Sequence, residues 1–190
     1  KAVKQGCPCT IKTTPTIADG IAVARAGQLT CEMIRDYVDE IVTVSEDDIA
    51  RAILFLMEKG KVVAEGAGAT PVAALLAGKI KEQGQNICCV ISGGNSDINM
   101  IERIINKALI LEGRKAEFNV VVPDRAGELF KVLQVLAEKK ANILRINQSM
   151  YKTGIKINNQ VAKIVIECAN AEHRNEIAVA IREAGFELRP

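Results

Sequence analysis

The sequence predicts an α/β protein whose two parts are organised differently. In the first part, helical patterns alternate with short apolar strands, an order typical of a parallel sheet covered by helices. In the second part, the predicted order is strand, helix, strand, strand, helix, strand, which is the ferredoxin-like arrangement of an antiparallel sheet with both helices on one face. The predicted domains are residues 1–110 and 117–190, joined by a polar, irregular linker at 111–116.

The first part begins with a predicted helix over residues 30–39 and a short strand over residues 40–44. Ser45 is followed three residues later by the carboxylate of Asp48, a spacing typical of a capping box at a helix start. The helix that follows carries apolar residues at helical spacing and ends at Gly60. Its predicted apolar stripe consists of Ile49, Ile53, Leu56 and Met57.

Two further strands are predicted in the first part, over residues 61–64 and 87–91. Between them, Thr70 and Pro71 suit the N-cap and N1 positions of a helix that ends near Gly84. The alternation of these helices and strands is the reason for expecting a parallel layer.

A tight turn, Ser92-Gly93-Gly94-Asn95, joins the second of these strands to a predicted helix over residues 97–106. Two adjacent glycines remove side chains where the backbone approaches something closely, and the flanking serine and asparagine carry short hydrogen-bonding groups. Ligands of open α/β sheets bind outside the carboxyl ends of the strands, where this turn is expected to lie. The turn is a candidate wall of a small-molecule site, and a plain connection is the alternative.

The second part is a unit of six predicted elements. Gly154 and the pair Asn158-Asn159 supply the turn of a hairpin between its second and third strands. The predicted strands cover residues 117–122, 143–150, 161–168 and 186–189, and the predicted helices cover residues 126–139 and 171–184.

The composition excludes several classes of partner. Hydrophobic residues make up 48% of the chain and charged residues 25%, as in globular proteins. Because the net charge is only +2 and aromatic residues make up 3%, neither a basic stripe nor a stacking surface for nucleic acid is expected. No apolar run approaches the ~20 residues of a membrane span, so no membrane partner is expected either. The single histidine, His173, is expected to face solvent, which argues against a histidine metal site or catalytic triad.

The six cysteines are expected to be reduced thiols in a cytoplasmic protein, because two are adjacent in a predicted buried strand and one lies in another. The spacing of Cys7-Pro8-Cys9 does not suit a zinc knuckle, and no second pair completes one, so no metal site is predicted. A redox role for that motif is an alternative. The cysteines are Cys7, Cys9, Cys31, Cys88, Cys89 and Cys168.

The turn that opens the first helix of the second part reads Val-Pro-Asp-Arg-Ala-Gly-Glu-Leu at residues 122–129. It resembles the typical Pro-Asp-x-x-Gly-x-Leu turn of the ACT domain, a regulatory module that binds amino acids. The resemblance implies an amino-acid effector, with isoleucine or valine expected first, whose carboxylate would meet the helix N-terminus. The alternative is that the aspartate caps the helix and the arginine is a solvated charge. The implied effector residues are Asp124, Arg125, Ala126, Gly127 and Leu129.

Four motifs of the first part, in their order along the chain, resemble the C-terminal part of the catalytic domain of serine/threonine dehydratases. These are pyridoxal-phosphate enzymes of fold type II, the tryptophan synthase β type. With an ACT-like unit following, the resemblance points to the threonine ammonia-lyase (threonine dehydratase) family and to its catabolic-like subgroup. The motifs are Thr16-Ile17-Ala18-Asp19-Gly20, Asp39-Glu40-Ile41-Val42 with Val44-Ser45-Glu46-Asp47, Glu65-Gly66-Ala67-Gly68-Ala69, and Ile91-Ser92-Gly93-Gly94-Asn95.

The resemblance implies roles for individual residues around pyridoxal 5'-phosphate. Ser92 would hydrogen-bond the pyridine nitrogen, with Gly93 and Gly94 in the same wall, and Glu65 would lie near the ring. Asn95 matches a position that catabolic members use around an activating nucleotide. For Glu65 the alternative is a solvated charge at a strand end. The implied substrate is L-threonine, with L-serine secondary, and the implied assembly is a homo-oligomer, either a dimer or a tetramer.

Several parts of the family pattern are missing from this sequence. The Schiff-base lysine of the family lies in a Ser-x-Lys-x-Arg-Gly context, which none of the lysines here has. We therefore expect no catalytic residue in this chain, an N-terminal truncation, and no activity of the chain alone. Two alternatives stay open: a serine dehydratase or racemase-type enzyme, and an ACT-mediated amino-acid-binding and dimerisation module.

Overall fold

The computed structural model describes residues 2–81, 86–150 and 154–189, and it divides the chain into two compact units, Lys1–Ala108 and Leu109–Pro190. Among the described residues there are seven α-helices and one four-stranded antiparallel sheet, so the α/β class is confirmed. Within these ranges no helix is long and apolar enough to cross a membrane. The predicted helix end near Gly84 lies outside the described residues.

The first unit is built from helices joined by long connections. A 3₁₀ turn at Asp19–Ile21 precedes the second helix, and a π-helical turn at Leu56–Gly60 prolongs the third. The helices are α1 (Ala2–Gln5), α2 (Gln28–Tyr37), α3 (Glu46–Phe55), α4 (Gly66–Leu76) and α5 (Ile98–Leu111), the last of which ends beyond the boundary between the units.

The prediction of a parallel sheet in the first part is wrong for the described residues. Residues 40–44, 61–64 and 87–91 form no strand in the described part of this unit. A strand exists only where a neighbouring backbone completes its hydrogen bonds, and the segments that follow the last two share one such bond, from Glu65 N to Gly93 O at 3.3 Å. Several apolar side chains of these segments are accordingly exposed, as at Val90, which is 70% accessible, whereas Ala64 is buried.

The capping box predicted at the start of α3 is confirmed. Ser45 Oγ accepts a hydrogen bond from the backbone N–H of Asp48 at 3.2 Å, and the Asp48 carboxylate accepts one from Ser45 N at 3.0 Å. Of the predicted apolar stripe, Ile49, Ile53 and Leu56 are buried. The cap fixes where the helix begins, and the stripe fixes which face is covered.

We predict that Ser45→Ala lowers the free energy of unfolding by about 1 kcal/mol, since it removes the acceptor for the Asp48 amide. Hydrogen bonds from the Ser45 hydroxyl and backbone hold the pKa of the Asp48 carboxyl below its usual range. A carboxyl with a lowered folded pKa stabilises the fold above its unfolded pKa, and this contribution is lost as the pH falls through the folded value. The difference between wild type and variant in urea unfolding should therefore shrink from neutral pH to about pH 2. Ser45→Thr keeps the hydroxyl and should behave like wild type; equal losses for both variants would contradict the cap.

Helix α4 begins earlier than predicted. Thr70 and Pro71 are not its N-cap and N1 residues; Glu65 is the N-cap, and Pro71 lies inside the helix. A proline there cannot donate to the carbonyl of Ala67. The Thr70 hydroxyl donates to that carbonyl instead, at 2.8 Å, so the backbone acceptor keeps a partner. The helix therefore tolerates a proline that usually marks a helix start.

The bounds of the two other helices also differ from the predicted ones. The helix predicted over 30–39 begins at Gln28 and ends at Tyr37. The helix predicted over 97–106 continues to Leu111, so the first residue of the predicted linker is helical.

The second unit contains the six predicted elements in the predicted order. Each strand pairs antiparallel with its neighbours, and the order across the sheet is β2-β3-β1-β4. The elements are β1 (Lys115–Pro123), α6 (Glu128–Glu138), β2 (Asn142–Ser149), β3 (Asn159–Glu167), α7 (Ala171–Glu183) and β4 (Glu187–Arg189).

The core of the second unit follows from the alternation of its strands. Every second residue of β1 and β3 faces α6 and α7, so apolar residues at period two meet apolar residues at helical spacing. The fully buried members of this core include Val120, Val122, Val132, Leu136, Ile164, Ile166, Ile177 and Ile181.

The only histidine of the sequence is predicted to face solvent. The structure instead half-buries it, as a link between the ends of two helices. His173 Nδ1 accepts from Ala169 N at 3.0 Å, and Nε2 lies 2.7 Å from the carbonyl oxygen of Lys139. An amide can only donate and a carbonyl can only accept, so the proton resides on Nε2. The ring thereby joins the start of α7 to the C-terminal end of α6.

All six cysteines are free thiols. Cys88 is exposed and Cys89 half-buried, rather than buried in a strand, because residues 87–91 pair with no strand in the described part of the chain. Partial burial raises the pKa of the Cys168 thiol, which makes it a weaker nucleophile at neutral pH.

Candidate functional site

Three segments of the first unit converge at the beginning of α4: residues 16–20, 65–69 and 92–94. A Cβ placed on Gly66 would lie 2.0 Å from the carbonyl oxygen of Ile17, and one on Gly68 would lie 1.7 Å from that of Ser92. Both neighbours are backbone atoms. The Gly-x-Gly spacing therefore lets the first turn of α4 contact two other backbones directly.

The carboxylate of Glu65 lies within this convergence. A Cβ on Gly20 would lie 3.2 Å from Glu65 Oε1, and one on Gly93 would lie 2.4 Å from it. Gly93 has φ of +75°, a left-handed conformation that favours glycine. The structure thus brings Glu65, a predicted site residue, beside the predicted Ser92–Asn95 turn, and half-buries it rather than leaving it a fully solvated charge.

The four residues of the glycine turn are exposed, including Ser92 and Asn95. Ser92 is held by its backbone, which packs against Gly68, while the residue remains accessible. A serine hydroxyl donates and accepts hydrogen bonds without carrying charge. This cluster therefore combines a neutral hydroxyl, a carboxylate and a glycine-rich turn.

The residue types of this cluster are compatible with the cofactor that the sequence implies. The missing Cβ atoms of Gly20 and Gly93 leave room for the Glu65 carboxylate, and that of Gly94 leaves room for the carbonyl oxygen of Val63. A serine hydroxyl is a suitable partner for a heteroaromatic nitrogen. Within the described residues, no group of three or more His, Cys, Asp or Glu side chains is arranged to hold a metal ion.

The predicted effector turn lies in the second unit, between β1 and α6. Gly127 is the N-cap of α6 with φ of +86°, and no side chain caps the helix. The alternative in which Asp124 caps α6 is therefore wrong. The backbone N–H of Asp124 donates instead to Asn158 O at 2.8 Å, which ties the turn to the loop between β2 and β3. Asp124, Arg125, Ala126 and Gly127 are exposed.

Leu129 has a different position from the other predicted effector residues. Its side chain is half-buried and packs against the core of the second unit. It anchors the first turn of α6 to the core, while the four predicted effector residues before it are exposed.

Sequence reasoning missed the function of Glu46 in this cluster. Its carboxylate accepts hydrogen bonds from the Thr16 hydroxyl and from the Ile17 amide. Glu46 is separated from Thr16 by 30 positions and from Ile17 by 29, and no local sequence pattern connects residues so far apart. Only the structure therefore shows this contact.

Comparison with known proteins finds a family match in the first unit and relatives that match nearly the whole chain. Residues 1–93 match the model of a family described as pyridoxal-phosphate dependent enzyme. An L-threonine ammonia-lyase of Thermotoga maritima is 43% identical over 188 residues, which cover 99% of this chain and 47% of that protein. An L-threonine ammonia-lyase of Geobacter sulfurreducens is 36% identical over 185 residues, covering 97% of this chain and 46% of that protein.

Among solved structures, the processed form of threonine deaminase isoform 2 from Solanum lycopersicum gives a TM-score of 0.49 with 29% sequence identity, covering 56% of this chain and 32% of that one. The chain spans about half the length of the curated relatives it matches.

Proposed function

Because residues 1–93 match the pyridoxal-phosphate dependent enzyme family, we propose that this chain contributes to a threonine ammonia-lyase that converts L-threonine to 2-oxobutanoate and ammonia. The family match and the names of the relatives indicate a lyase and a pyridoxal phosphate cofactor. The observation that supports the proposed site is the packing of Gly68 on Ser92 beside the Glu65 carboxylate. The first unit would then be the C-terminal part of the catalytic domain, with parts of the active site outside this chain.

In this proposal the residues of the chain position one side of the cofactor. The Ser92 hydroxyl would hydrogen-bond the pyridine nitrogen, Gly93 and Gly94 would permit close approach, and Glu65 would lie near the ring, with Asn95 at the rim. When bound, the cofactor would supply an electron sink for the substrate carbon that bears the amino group. A neutral hydroxyl does not hold the ring nitrogen protonated, which moderates that withdrawal and favours loss of the β-hydroxyl over transamination.

The second unit would be a ferredoxin-like ACT domain that makes the enzyme responsive to an amino acid. Its strand and helix order and the sheet order β2-β3-β1-β4 support this assignment. The exposed turn at Asp124–Gly127 and the uncapped start of α6 would receive the effector carboxylate. Effector binding regulates catalysis only by favouring one state of the catalytic part. We propose a homo-oligomer, a dimer or tetramer, which sedimentation analysis would test.

The cofactor role of Ser92 predicts the behaviour of Ser92→Ala in the full-length enzyme. Turnover of L-threonine should fall about tenfold or more, since a positioned hydrogen-bond partner of the ring is lost, and the visible absorption maximum of the bound cofactor should shift. Ser96→Ala, four residues further along the same loop, is the matched control and should leave the spectrum unchanged. The wild-type enzyme is assayed side by side on L-threonine and L-serine. Deamination of neither would overturn the proposed function, and faster turnover of L-serine would favour a serine dehydratase.

The effector site predicts that isoleucine or valine binds the second unit, as measured by calorimetric titration of the full-length enzyme. Arg125→Ala should weaken binding about tenfold, because it removes a cation from the carboxylate end of the site. Arg182→Ala, on the opposite end of α7 from its N-cap, is the matched control and should bind as wild type. Absence of heat with every branched-chain amino acid and with threonine would contradict an amino-acid site here.

A further inference from the structure

Glu46 is the first residue of α3, and its carboxylate reaches back to a segment far away in the sequence. One oxygen accepts a hydrogen bond from the Thr16 hydroxyl, and the other accepts one from the Ile17 amide at 2.9 Å. Both carboxylate oxygens are therefore engaged by adjacent residues of one turn. This two-point attachment fixes the orientation of the turn as well as its distance from α3.

The start of α3 does not require Glu46. Ser45 and Asp48 already form the capping box, and Asp47 pairs with Lys107 at 3.4 Å. Three consecutive acidic residues thus have three different partners. Glu46 is the one whose partners belong to the segment that packs against α4.

The segment held by Glu46 continues directly to the candidate cofactor site. The Thr16 hydroxyl also accepts from Ala18 N at 3.1 Å, which closes a short turn around the buried Ala18. The carbonyl of Ile17 lies against Gly66, and Gly20 lies against the Glu65 carboxylate. Residues 16–20 are therefore clamped between Glu46 on one side and the first turn of α4 on the other.

We infer that Glu46 is a positioning residue for the cofactor site, acting through residues 16–20 to set the place of the Glu65 carboxylate beside Gly93. It does not touch the cofactor. The inference rests on the proposed function, because Glu65 matters in this way only if the cofactor binds beside Glu65 and the Ser92–Asn95 turn. Loss of the clamp lets the 16–20 turn move away from Gly66 and frees the Glu65 side chain from its restricted position.

The test measures three variants of the full-length enzyme: Glu46→Gln, Thr16→Val and the double variant that carries both. Each is compared with the variant Asp47→Asn. Asp47→Asn removes the neighbouring charge in the same helical turn and is the matched control. Glu46→Gln should lower the affinity of the apo-enzyme for pyridoxal phosphate about tenfold and kcat about tenfold to a hundredfold. Amide hydrogen exchange at Ile17 and Ala18 should become faster. The cofactor affinity and kcat of the double variant should be no lower than those of the more affected single variant.

The outcomes separate the inference from the proposed function. A wild-type enzyme that neither binds the cofactor nor deaminates threonine overturns the proposed function. A wild-type enzyme that is active, with Glu46→Gln matching Asp47→Asn in cofactor affinity, cofactor absorption spectrum and kcat, overturns the positioning role. Faster exchange and a lower Tm with unchanged cofactor affinity overturn it as well, because the clamp would then serve only the fold. If Glu46→Gln does not fold, Thr16→Val removes one of the same two hydrogen bonds and decides by the same measurements.

Discussion

Gly68→Ala is expected to cause the largest loss at the proposed cofactor site of any glycine-to-alanine substitution. The new Cβ would lie 1.7 Å from the carbonyl oxygen of Ser92 and 2.7 Å from its carbonyl carbon. Both are backbone atoms, so α4 and the glycine turn must move apart by more than 1 Å to reach van der Waals contact. We expect a loss of about 3 kcal/mol or more in the free energy of unfolding, at or above the upper end of overpacking effects. If the proposed function holds, the full-length enzyme should lose binding of pyridoxal phosphate, because Ser92 is displaced from its place beside Glu65.

Gly60→Ala is the matched control for this experiment. Its Cβ would meet only the Leu56 Cδ2 atom at 3.8 Å and the Val62 Cγ2 atom at 3.9 Å, which is ordinary contact. The change should lie within about 1 kcal/mol of wild type in urea unfolding, since alanine also restricts the unfolded chain. If both variants unfold at the same urea concentration and bind the cofactor equally, the close backbone contact between α4 and the glycine turn does not exist in solution.

The features predicted well from the sequence depend on neighbouring residues along the chain. The Ser45 and Asp48 capping box spans three residues, and its hydrogen bonds are found as predicted. The elements of the second unit follow from periodicity of two and of 3.6, with turns at glycine and asparagine. In each case the physical cause lies inside the segment that shows the pattern.

The features predicted wrongly depend on distant residues. Residues 87–91 have the composition of a buried strand, but a strand also requires a partner backbone, and no described segment pairs with it. Pro71 suits a helix start, yet α4 begins five residues earlier because Gly66 and Gly68 must contact distant backbones. The Thr70 hydroxyl offsets the missing donor of the proline. Local rules describe what a residue prefers, while packing determines which preference prevails.

The candidate site shows the same division. The sequence predicts the glycine turn at Ser92–Asn95 as a candidate ligand wall, and the family resemblance alone implies that Glu65 lies near the cofactor ring. Their contact through Gly68 and Gly93 is a property of the folded chain. The clamp by Glu46 on Thr16 had no sequence signal, since a glutamate at a helix start is common for reasons of the helix dipole alone.

Gly113→Ala is expected to cause the largest loss of stability in the second unit among its glycines. Gly113 is buried between the end of α5 and the start of β1, with φ of +68°. A Cβ there would lie 2.5 Å from Ala171 Cα and 2.8 Å from Ala171 N, at the first residue of α7. The left-handed conformation costs an L-residue about 1–2 kcal/mol, and overlap with backbone costs about 1–3 kcal/mol more. We therefore expect a loss of about 2–5 kcal/mol in the free energy of unfolding, measured by urea unfolding followed by circular dichroism.

Gly185→Ala separates the two causes of that loss. Gly185 also has a positive φ, +88°, but nothing lies within 4 Å of the position of its Cβ. Its substitution carries the conformational cost without the overlap, so it should lose only about 1–2 kcal/mol. The difference between the two variants measures how firmly the first residue of α7 packs on the turn before β1. Equal losses would mean that α7 shifts without cost, and the close contact between Gly113 and Ala171 would then contribute nothing to the stability of the second unit.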